Sequence, residues 1–332
     1  MTSRTIIVAG AGVFGLWQAL SLAKAGHRVR LLEASVEPFT AASSRLAGAM
    51  LLPDCEGEAS PAIVRELGRR GVALWRAAYP GLVTRGSLVL ANARDKGELT
   101  RFARMTERHT LVEGNALAEL EPDIAGRFSA GLHYAEEAHM ETPRALAFLL
   151  AAAREAGVEV MLGTPWHEDD SDDLVIDCRG MGAREALPDL RGVRGERFLV
   201  RTQEVHFSRS IHLLHPRQTL YVVPWSDGVF LIGATLIESE DTGPVSVRSA
   251  LELLGLAYAL HPAFGEAQLI ESAAGLRPSF ADNVPRAVVS RRGTRIAVNG
   301  AWRHGFLLAP VMAEAVLSHL SGGEHELLRR AV

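Results

Sequence analysis

Three glycines near the beginning of the chain, at positions 10, 12 and 15, have the spacing G-x-G-x-x-G. Gly10 can make a tight turn, Gly12 lets the backbone approach a pyrophosphate, and Gly15 lets a helix pack closely against a strand. An acidic residue, Glu33, follows 23 residues after the first glycine. Its carboxylate can accept hydrogen bonds from both hydroxyls of an adenosine ribose and would repel a 2′-phosphate. These residues predict a dinucleotide site that suits FAD or NAD better than NADP.

The segments around these residues have the patterns of the elements that must position them. Ile6–Val8 is a short apolar run typical of a buried strand, and a helical pattern after the glycines ends at Gly26. A second apolar run, Val29–Leu32, leads directly to Glu33. The N-terminus of the helix would offer free N–H groups and a positive dipole end to phosphates. An ordinary α/β unit with a glycine-bearing turn is the alternative, but the complete strand–helix–strand spacing favours the dinucleotide site.

Composition limits the class of protein. The chain has 332 residues, of which 48% are hydrophobic and 22% charged, so two domains with a sizeable core are expected. A formal net charge of −4 gives no reason to expect a nucleic-acid partner, and no run reaches the ~20 apolar residues of a membrane span. Cys55 and Cys178 form neither a disulfide framework nor a metal-ligand pattern. We therefore expect a cytoplasmic protein without a metal site.

The pattern of elements along the chain predicts two interleaved domains. Strands are expected at 87–91, 132–134, 158–162, 174–178, 268–272 and 295–298, and an acidic turn at 168–173. Helices are expected at 61–78, 246–260 and up to about 320, and one more with Thr142 as its N-cap, Pro143 as its first helical residue and its end at Gly157. Short alternating runs over 197–237 predict an antiparallel sheet. The fold class is therefore α/β (α+β overall), with a Rossmann-like domain at residues 1–80, 141–190 and 281–332. An antiparallel-sheet substrate domain is expected at residues 81–140 and 191–280.

Three further motifs stand outside the glycine-rich unit. They are SSRLAGAMLLP at 43–53, the pair YVVP at 221–224 and GLRP at 275–278, and NGAWRHGFLLAP at 299–310. Together with the glycine motif, they span nearly the whole chain. In this combination the sequence resembles the D-amino-acid oxidase superfamily of FAD enzymes, most closely its glycine oxidase branch, which is linked to thiamine biosynthesis. The resemblance implies that the Rossmann-like domain binds FAD.

The resemblance also assigns roles in substrate binding. It implies that Arg277 of GLRP grips the substrate carboxylate as a two-pronged ion pair, because a guanidinium fork matches two carboxylate oxygens. Tyr221 of YVVP would contact the same carboxylate through its hydroxyl, and Arg303 would lie near it. Without the family, Arg277 would be a surface salt-bridge residue and Tyr221 a half-buried structural residue. His304 stands where glycine oxidases have asparagine and is similar to the S-G-H-G-F segment of sarcosine oxidases.

The expected cofactor is non-covalent FAD, because no cysteine follows Cys178 to tether a flavin as in sarcosine oxidases. Gly180 would allow a close approach to the diphosphate, and Arg45 or Arg179 could contact a phosphate. A one-residue difference, AGAML at 47–51 where glycine oxidases have AAGML, leaves the local register open. The expected cofactor-binding residues are Gly10, Gly12, Val13, Phe14, Gly15, Glu33, Ala34, Ser43, Ser44, Arg45, Ala47, Gly48, Met50, Gly180, Gly300, Trp302, Arg303, His304, Gly305 and Phe306.

The implied reaction is oxidative deamination of glycine or another small amino or N-methylamino acid. Hydride transfer to flavin N5 would give an imino acid, water would hydrolyse it to an oxo acid and ammonia, and dioxygen would accept the electrons and form hydrogen peroxide. Electron transfer to a quinone or another carrier and sarcosine-type oxidation are close alternatives. A flavin module that modifies tRNA and a non-catalytic flavin- or NAD-binding regulator are more distant ones. The oligomeric state is open, with a homo-oligomer as one possibility.

Overall fold

A computed structural model describes residues 5–168 and 173–331. Its strands are β1 (Thr5–Ala9), β2 (Arg28–Leu32), β3 (Met50–Leu51), β4 (Ser87–Ala91), β5 (Thr110–Glu113), β6 (Ala130–Tyr134), β7 (Ala138–His139), β8 (Glu159–Met161), β9 (Leu174–Asp177), β10 (Arg191–Arg201), β11 (Ser210–Leu214), β12 (Leu220–Pro224), β13 (Val229–Gly233), β14 (Gln268–Ser279), β15 (Arg286–Val289), β16 (Arg295–Asn299) and β17 (Leu328–Arg330). Its helices are α1 (Val13–Lys24), α2 (Ala62–Ala78), α3 (Lys96–Met105), α4 (Gly114–Leu120), α5 (Thr142–Glu155), α6 (Val247–Leu260) and α7 (Gly305–Leu320).

Seven strands form the first sheet, in the order β17-β15-β16-β9-β1-β2-β8. All neighbours in it are parallel except β15 and β16. The central strand β1 is almost fully buried, which explains its continuous apolar run. Helix α1 packs against α5 and α7, and α7 packs against α2, so one apolar cluster joins the sheet to these four helices. This layer arrangement confirms the Rossmann-like part of the predicted fold.

Two glycines explain how the first strand can turn sharply into α1. Gly10 has φ +95°, and a Cβ there would come within 2.8 Å of the Cys178 carbonyl oxygen. A Cβ on Gly15, in the first turn of α1, would overlap the carbonyl oxygen of Gly10. Only glycine therefore lets α1 lie so close to the end of β1. The helix N-terminus consequently faces the carboxyl edge of the sheet.

Eight strands form the second sheet, in the order β14-β10-β13-β12-β11-β4-β6-β5. Its neighbours are antiparallel except β4 and β11, which are parallel. Helix α6 covers one face, where Leu253, Ala257 and Leu260 pack with Phe198 and Phe230. Part of the opposite face, on β10, β12 and β14, lines a cavity shared with the first sheet. This sheet therefore supplies one wall of the candidate site.

Several details differ from the sequence expectations. Strand β14 continues to Ser279, so GLRP lies inside a long strand paired with β10 rather than after a short one. Helix α5 begins at Thr142 with Glu141 as the N-cap residue, one position earlier than expected. Residues 169–172 of the expected acidic turn lie outside the described residues. Within the described part of the chain, no helix combines the length and apolar character needed to cross a bilayer.

The strands of each sheet come from separate stretches of the sequence. Those of the first sheet lie within residues 1–80, 141–190 and 281–332, and those of the second lie within residues 81–140 and 191–280. A third, two-stranded sheet of β3 and β7 joins the two sets. The two-domain division at these boundaries stays a prediction.

Candidate active site

A cavity of about 920 Å³ runs from the glycine-rich turn to the open face of the second sheet. The structure brings most of the residues predicted from the sequence together in its wall. Those lining it are Gly10, Gly12, Val13, Phe14, Glu33, Ala34, Ser43, Ser44, Ala47, Gly48, Met50, Gly180, Tyr221, Arg277, Trp302, Arg303, Gly305 and Phe306. Four predicted residues do not line it: Gly15, Arg45, Gly300 and His304.

One end of the cavity is formed by the glycine-rich turn and Glu33. The Oε2 atom of Glu33 accepts a hydrogen bond from the Ala11 N–H at 2.7 Å, and Oε1 accepts one from the Ser35 N–H at 2.9 Å. These bonds fix the carboxylate at the end of β2. Each carboxylate oxygen has a second lone pair, so the side chain can still accept a bond from a hydroxyl in the cavity. This geometry suits the recognition of a ribose.

The segment that contains Ser43 and Ser44 is fastened on two sides. Ser44 Oγ accepts a hydrogen bond from Val13 N–H at 3.0 Å, at the start of α1. Ser43 Oγ donates to the Leu276 carbonyl oxygen of β14 at 2.8 Å. The segment thus bridges the helix N-terminus and the substrate-side sheet. Arg45 does not have the expected place beside a phosphate: it is 44% exposed and lies 3.3 Å from Glu271, because its side chain leaves the cavity wall.

The strand β16 and the start of α7 form the next part of the wall. Asn299 Nδ2 donates to the Gly180 carbonyl oxygen at 2.8 Å, and Asn299 Oδ1 accepts from Gly300 N–H at 2.9 Å. Gly300 has φ +81°, which allows the turn that follows β16, so its role is in the backbone rather than in the wall. Helix α7 begins at Gly305, and Gly305 and Phe306 of its first turn line the cavity. This N-terminus favours negative charge nearby.

Arg179 lies near the nucleotide end of the cavity, but it is already paired. Its Nε donates to Asp177 Oδ1 at 2.9 Å, and its guanidinium stacks on Trp166 with 4.6 Å to the ring centroid. Arg295 stacks on the same indole at 4.9 Å. The sequence expectation of a phosphate contact for Arg179 therefore competes with an ion pair that the structure shows. Trp166 itself lines the cavity and was not anticipated.

Arg277 lies at the opposite end of the cavity, on β14. Its Nη1 donates to the carbonyl oxygens of Thr235 at 3.0 Å and Arg194 at 3.4 Å. The guanidinium lies directly over Gly195 of β10, where any Cβ would overlap it. Among the described residues, no carboxylate is within ion-pairing distance of Arg277. Burial lowers the pKa of Arg277, so an anion from outside the chain would stabilise its charge.

Tyr221 lies beside Arg277 on β12. A Cβ on Gly233 would come within 2.7 Å of the Tyr221 ring, and one on Gly48 within 3.2 Å, so two glycines make room for it. Burial raises the pKa of Tyr221, and the neighbouring Arg277 lowers it by less. The phenol therefore stays neutral and can donate a hydrogen bond. The ring also stacks with His212, at 5.9 Å between centroids.

Arg303, which the sequence expectation places near the substrate carboxylate, lines the cavity and has an acidic partner within the chain. Its Nη2 donates to Glu56 Oε1 at 2.7 Å, and His304 Nδ1 is 3.2 Å from Glu56 Oε2. Burial alone would raise the pKa of Glu56, but the combined effect of Arg303 and His304 is larger and opposite. The pKa of Glu56 is therefore lowered, from 4.5 to about 2. Glu56 is therefore ionised and balances most of the charge of Arg303. His304 is buried behind this pair, and Ser60 Oγ lies 3.1 Å from its Nε2.

Among the cavity-lining residues that sequence reasoning missed are Glu56, Trp166, Arg197 and His212. None belongs to a recognisable motif. Arg197 lies two positions from Gly195 on β10, and residues two apart on a strand share a face. Knowing how β10 pairs with β14 would have placed Arg197 in the cavity wall. That pairing joins residues far apart in the sequence, so local patterns do not show it. The other three had no local signal.

The residues present fit an elongated dinucleotide with a flavin. The glycine turn and the fixed carboxylate of Glu33 suit the adenosine and pyrophosphate, because a Cβ on Gly12 would fill this space and meet Ser44 Oγ at 3.2 Å. The residues from Gly48 to Met50 and from Trp302 to Phe306 would hold the ring system. Tyr221 and Arg277 lie beyond them, at the far end of the cavity.

The chain resembles a known protein family, curated proteins and solved structures over nearly its whole length. The family described as FAD dependent oxidoreductase (DAO) matches residues 5–318. The chain is 47% identical over 327 residues to a Rhizobium etli protein named putative thiamine biosynthesis oxidoreductase ThiO, covering 98% of this chain and 99% of the relative. It is 29% identical over 357 residues to glycine oxidase of Geobacillus kaustophilus, covering 94% and 91%. The crystal structure of glycine oxidase from Geobacillus kaustophilus has a TM-score of 0.83 at 24% identity, covering 98% of this chain and 97% of that chain.

Proposed function

The chain belongs to the family of FAD-dependent oxidoreductases, and on that premise we propose that it oxidises glycine or another small amino or N-methylamino acid, with dioxygen as the electron acceptor. The products would be an oxo acid, ammonia or the corresponding amine, and hydrogen peroxide. The family makes the chain an FAD-dependent enzyme, and its relatives support amino-acid oxidation as the reaction class. The substrate, the acceptor and the roles of individual residues are parts of the proposal.

One observation carries the choice of an amino acid as substrate. The half-buried guanidinium of Arg277 is held over Gly195 by two backbone carbonyl oxygens and lines the cavity without a carboxylate partner among the described residues. A buried charge without a counterion is costly, and a substrate carboxylate would supply one. The fixed guanidinium would bind it through two parallel N–H···O bonds. Tyr221 would donate a third bond from its neutral hydroxyl.

Bound FAD would supply the redox chemistry by accepting a hydride from the substrate carbon and passing the electrons to dioxygen. The protein would contribute orientation, because Arg277 and Tyr221 fix the acid end of the substrate and so direct its Cα. The N–H groups at the start of α7 would stabilise negative charge that develops during the reaction. We assign no side chain as a base, since a substrate bound as the neutral amine needs none.

The names of the relatives support a small substrate and a biosynthetic setting. The 47% identical relative is named for thiamine biosynthesis, and the 29% identical one is named glycine oxidase. We extend both to this chain as proposals. They support a small amino acid as the substrate and favour an oxidase over a dehydrogenase.

The decisive experiment mixes the FAD-loaded enzyme anaerobically with glycine, sarcosine or D-alanine and follows the flavin absorbance. We expect glycine to bleach it, and we expect peroxide in air. Arg277→Met should lower kcat/KM by about two to three orders of magnitude while the FAD content stays equal to that of the wild type. Arg201→Met, on the exposed end of β10, is the matched control. If no amino acid bleaches the flavin, or if Arg277→Met has near-normal kcat/KM, the proposal fails.

A further inference from the structure

A second guanidinium, that of Arg197, lines the same cavity as Arg277, and unlike Arg277 the residue is buried. The Arg197 side chain is 4% exposed, and its Nη2 donates to Glu271 Oε2 at 3.1 Å. Its Nε and Nη1 are buried and have no hydrogen-bond partner in the structure. Buried donors normally have partners, because an unpaired buried donor has lost its hydrogen bonds to water without replacing them. Arg197 is thus a cavity residue with unused binding capacity.

The charges around Arg197 do not balance. Glu271 is the only carboxylate that the described residues provide to it, and Glu271 is shared with Arg45, which lies 3.3 Å from its other oxygen. Two guanidinium groups therefore share one carboxylate. By contrast, Arg303 has Glu56 as a full partner. Burial lowers the pKa of Arg197, and the proximity of Arg45 lowers it further, so this surplus of positive charge is costly without an anion.

Arg197 and Arg277 are close enough to serve one small molecule. The guanidinium of Arg277 lies over Gly195, which is two residues from Arg197 on the same face of β10. Two residues of a strand span about 7 Å. Both side chains line the cavity, and Tyr221 lies near both, since it affects the pKa of each. Two carboxylates separated by one to three atoms would fit between the two guanidinium groups.

We propose that Arg197 forms a second anion subsite in the substrate pocket, so that the enzyme prefers amino acids that carry a second carboxylate. This inference rests on the proposed function, in which Arg277 binds the first carboxylate. The second carboxylate would accept hydrogen bonds from Nε and Nη1 of Arg197 and balance the charge that Glu271 leaves uncompensated. It would be attached either to the substrate nitrogen or to the substrate Cα.

The first test measures binding without turnover. Isothermal titration of the FAD-loaded enzyme compares acetate with malonate, which is acetate with one added carboxylate. We expect malonate to bind at least tenfold more tightly than acetate. The Arg197→Gln variant should reduce this preference to threefold or less, and Glu271 keeps Arg45 as a partner in that variant. The Arg201→Gln control removes the same charge from the exposed end of the same strand and should keep the preference.

The second test measures turnover with matched substrates. Iminodiacetate is sarcosine with a carboxylate added to the N-methyl carbon, so this pair tests the nitrogen side. D-Aspartate is D-alanine with a carboxylate added to Cβ, so this pair tests the side chain on Cα. We expect at least one diacid to exceed its partner tenfold in kcat/KM, and Arg197→Gln to remove that advantage. The pair that shows the effect identifies the position of the second carboxylate.

The outcomes separate this inference from the function on which it rests. If glycine is oxidised but neither malonate nor a diacid substrate is preferred, the subsite does not exist and Arg197 only pairs with Glu271. If a preference exists but survives Arg197→Gln, Arg197 is not its source, and the inference is again wrong. If acetate does not bind and no amino acid is oxidised, the proposed function itself has failed.

Discussion

The two ends of the cavity are built by different means. The nucleotide end consists mainly of backbone: a glycine turn, a helix N-terminus and one carboxylate fixed by two N–H groups, all within residues 10–35. The opposite end, called the acid end here because it is proposed to bind the substrate carboxylate, consists of side chains from strands far apart in the sequence. These are Tyr221 on β12, Arg197 on β10 and Arg277 on β14. At the nucleotide end, the space left by the glycines determines which ligand fits. At the acid end, the charge of the side chains determines it.

The difference predicts two kinds of sensitivity. At the nucleotide end, a single added methyl group should block the close approach of two backbone segments. At the acid end, the same methyl group should leave the fold intact and displace one guanidinium. Glycine-to-alanine substitutions therefore test both ends of the cavity by adding the same methyl group to each.

The largest effect is expected for Gly15→Ala. The new Cβ would overlap the Gly10 carbonyl oxygen, which cannot move away because it is backbone, so α1 must shift from β1. We expect a destabilisation of about 3 kcal/mol or more and an FAD content near zero in the purified protein. Gly255→Ala in α6 is the matched control, because its Cβ would meet no atom within 4 Å. It should stabilise the protein by up to about 1 kcal/mol. Normal FAD content in Gly15→Ala would refute the backbone account of this end.

A smaller effect, confined to substrate, is expected for Gly195→Ala. Its Cβ would overlap the guanidinium of Arg277, which is the movable end of a side chain. The fold and the FAD content should stay normal, while kcat/KM for the amino acid falls about a hundredfold, since a displacement of about 1 Å can cost that much. Gly192→Ala, three residues away, would meet only side-chain atoms of Glu240 and Leu276 and should change kcat/KM little. Equal losses in both variants would mean that the strand, not Arg277, is disturbed.

The smallest effect on cofactor and substrate binding is expected for the buried carboxyl group of Glu137, whose contribution is to stability. Glu137 Oε1 accepts from the N–H groups of Asp54 and Cys55 at 3.0 and 2.7 Å, next to Glu56. Burial raises the pKa of Glu137 from 4.5 to about 8, although these bonds and one with Ser87 lower it. Between these two values the native state keeps a proton that the unfolded state has released. The free energy of unfolding should therefore fall as pH rises, by up to about 1.4 kcal/mol per pH unit.

Denaturant unfolding of Glu137→Gln at several pH values between about 5 and 8 would test this effect. The variant lacks the titrating proton, so we expect a flatter dependence on pH than in the wild type. Glu136→Gln changes the exposed neighbouring carboxylate and serves as the control. If the slope is the same in all three proteins, Glu137 does not hold a proton in the native state.

The same comparison explains what could be predicted from the sequence. The glycine turn, α1 and Glu33 were predictable because their roles depend on spacing within one strand–helix–strand unit. Tyr221 and Arg277 were found only through a family resemblance, and their bonding partners could not be foreseen. The pairing of Arg303 with Glu56 joins residues 247 positions apart, and the position of Arg197 depends on its register with Ala273, 76 positions away. Local patterns carry no information on such contacts.

The hydrogen bond from Ser43 to the Leu276 carbonyl has a consequence for assembly. It connects the segment of the cavity wall that contains Ser43 and Ser44 to the residue immediately before Arg277. Loading of the prosthetic group should therefore tighten the grip on the acid, and release should loosen both. A design that transfers the Ser43 segment into another scaffold must therefore also transfer the part of β14 around Leu276.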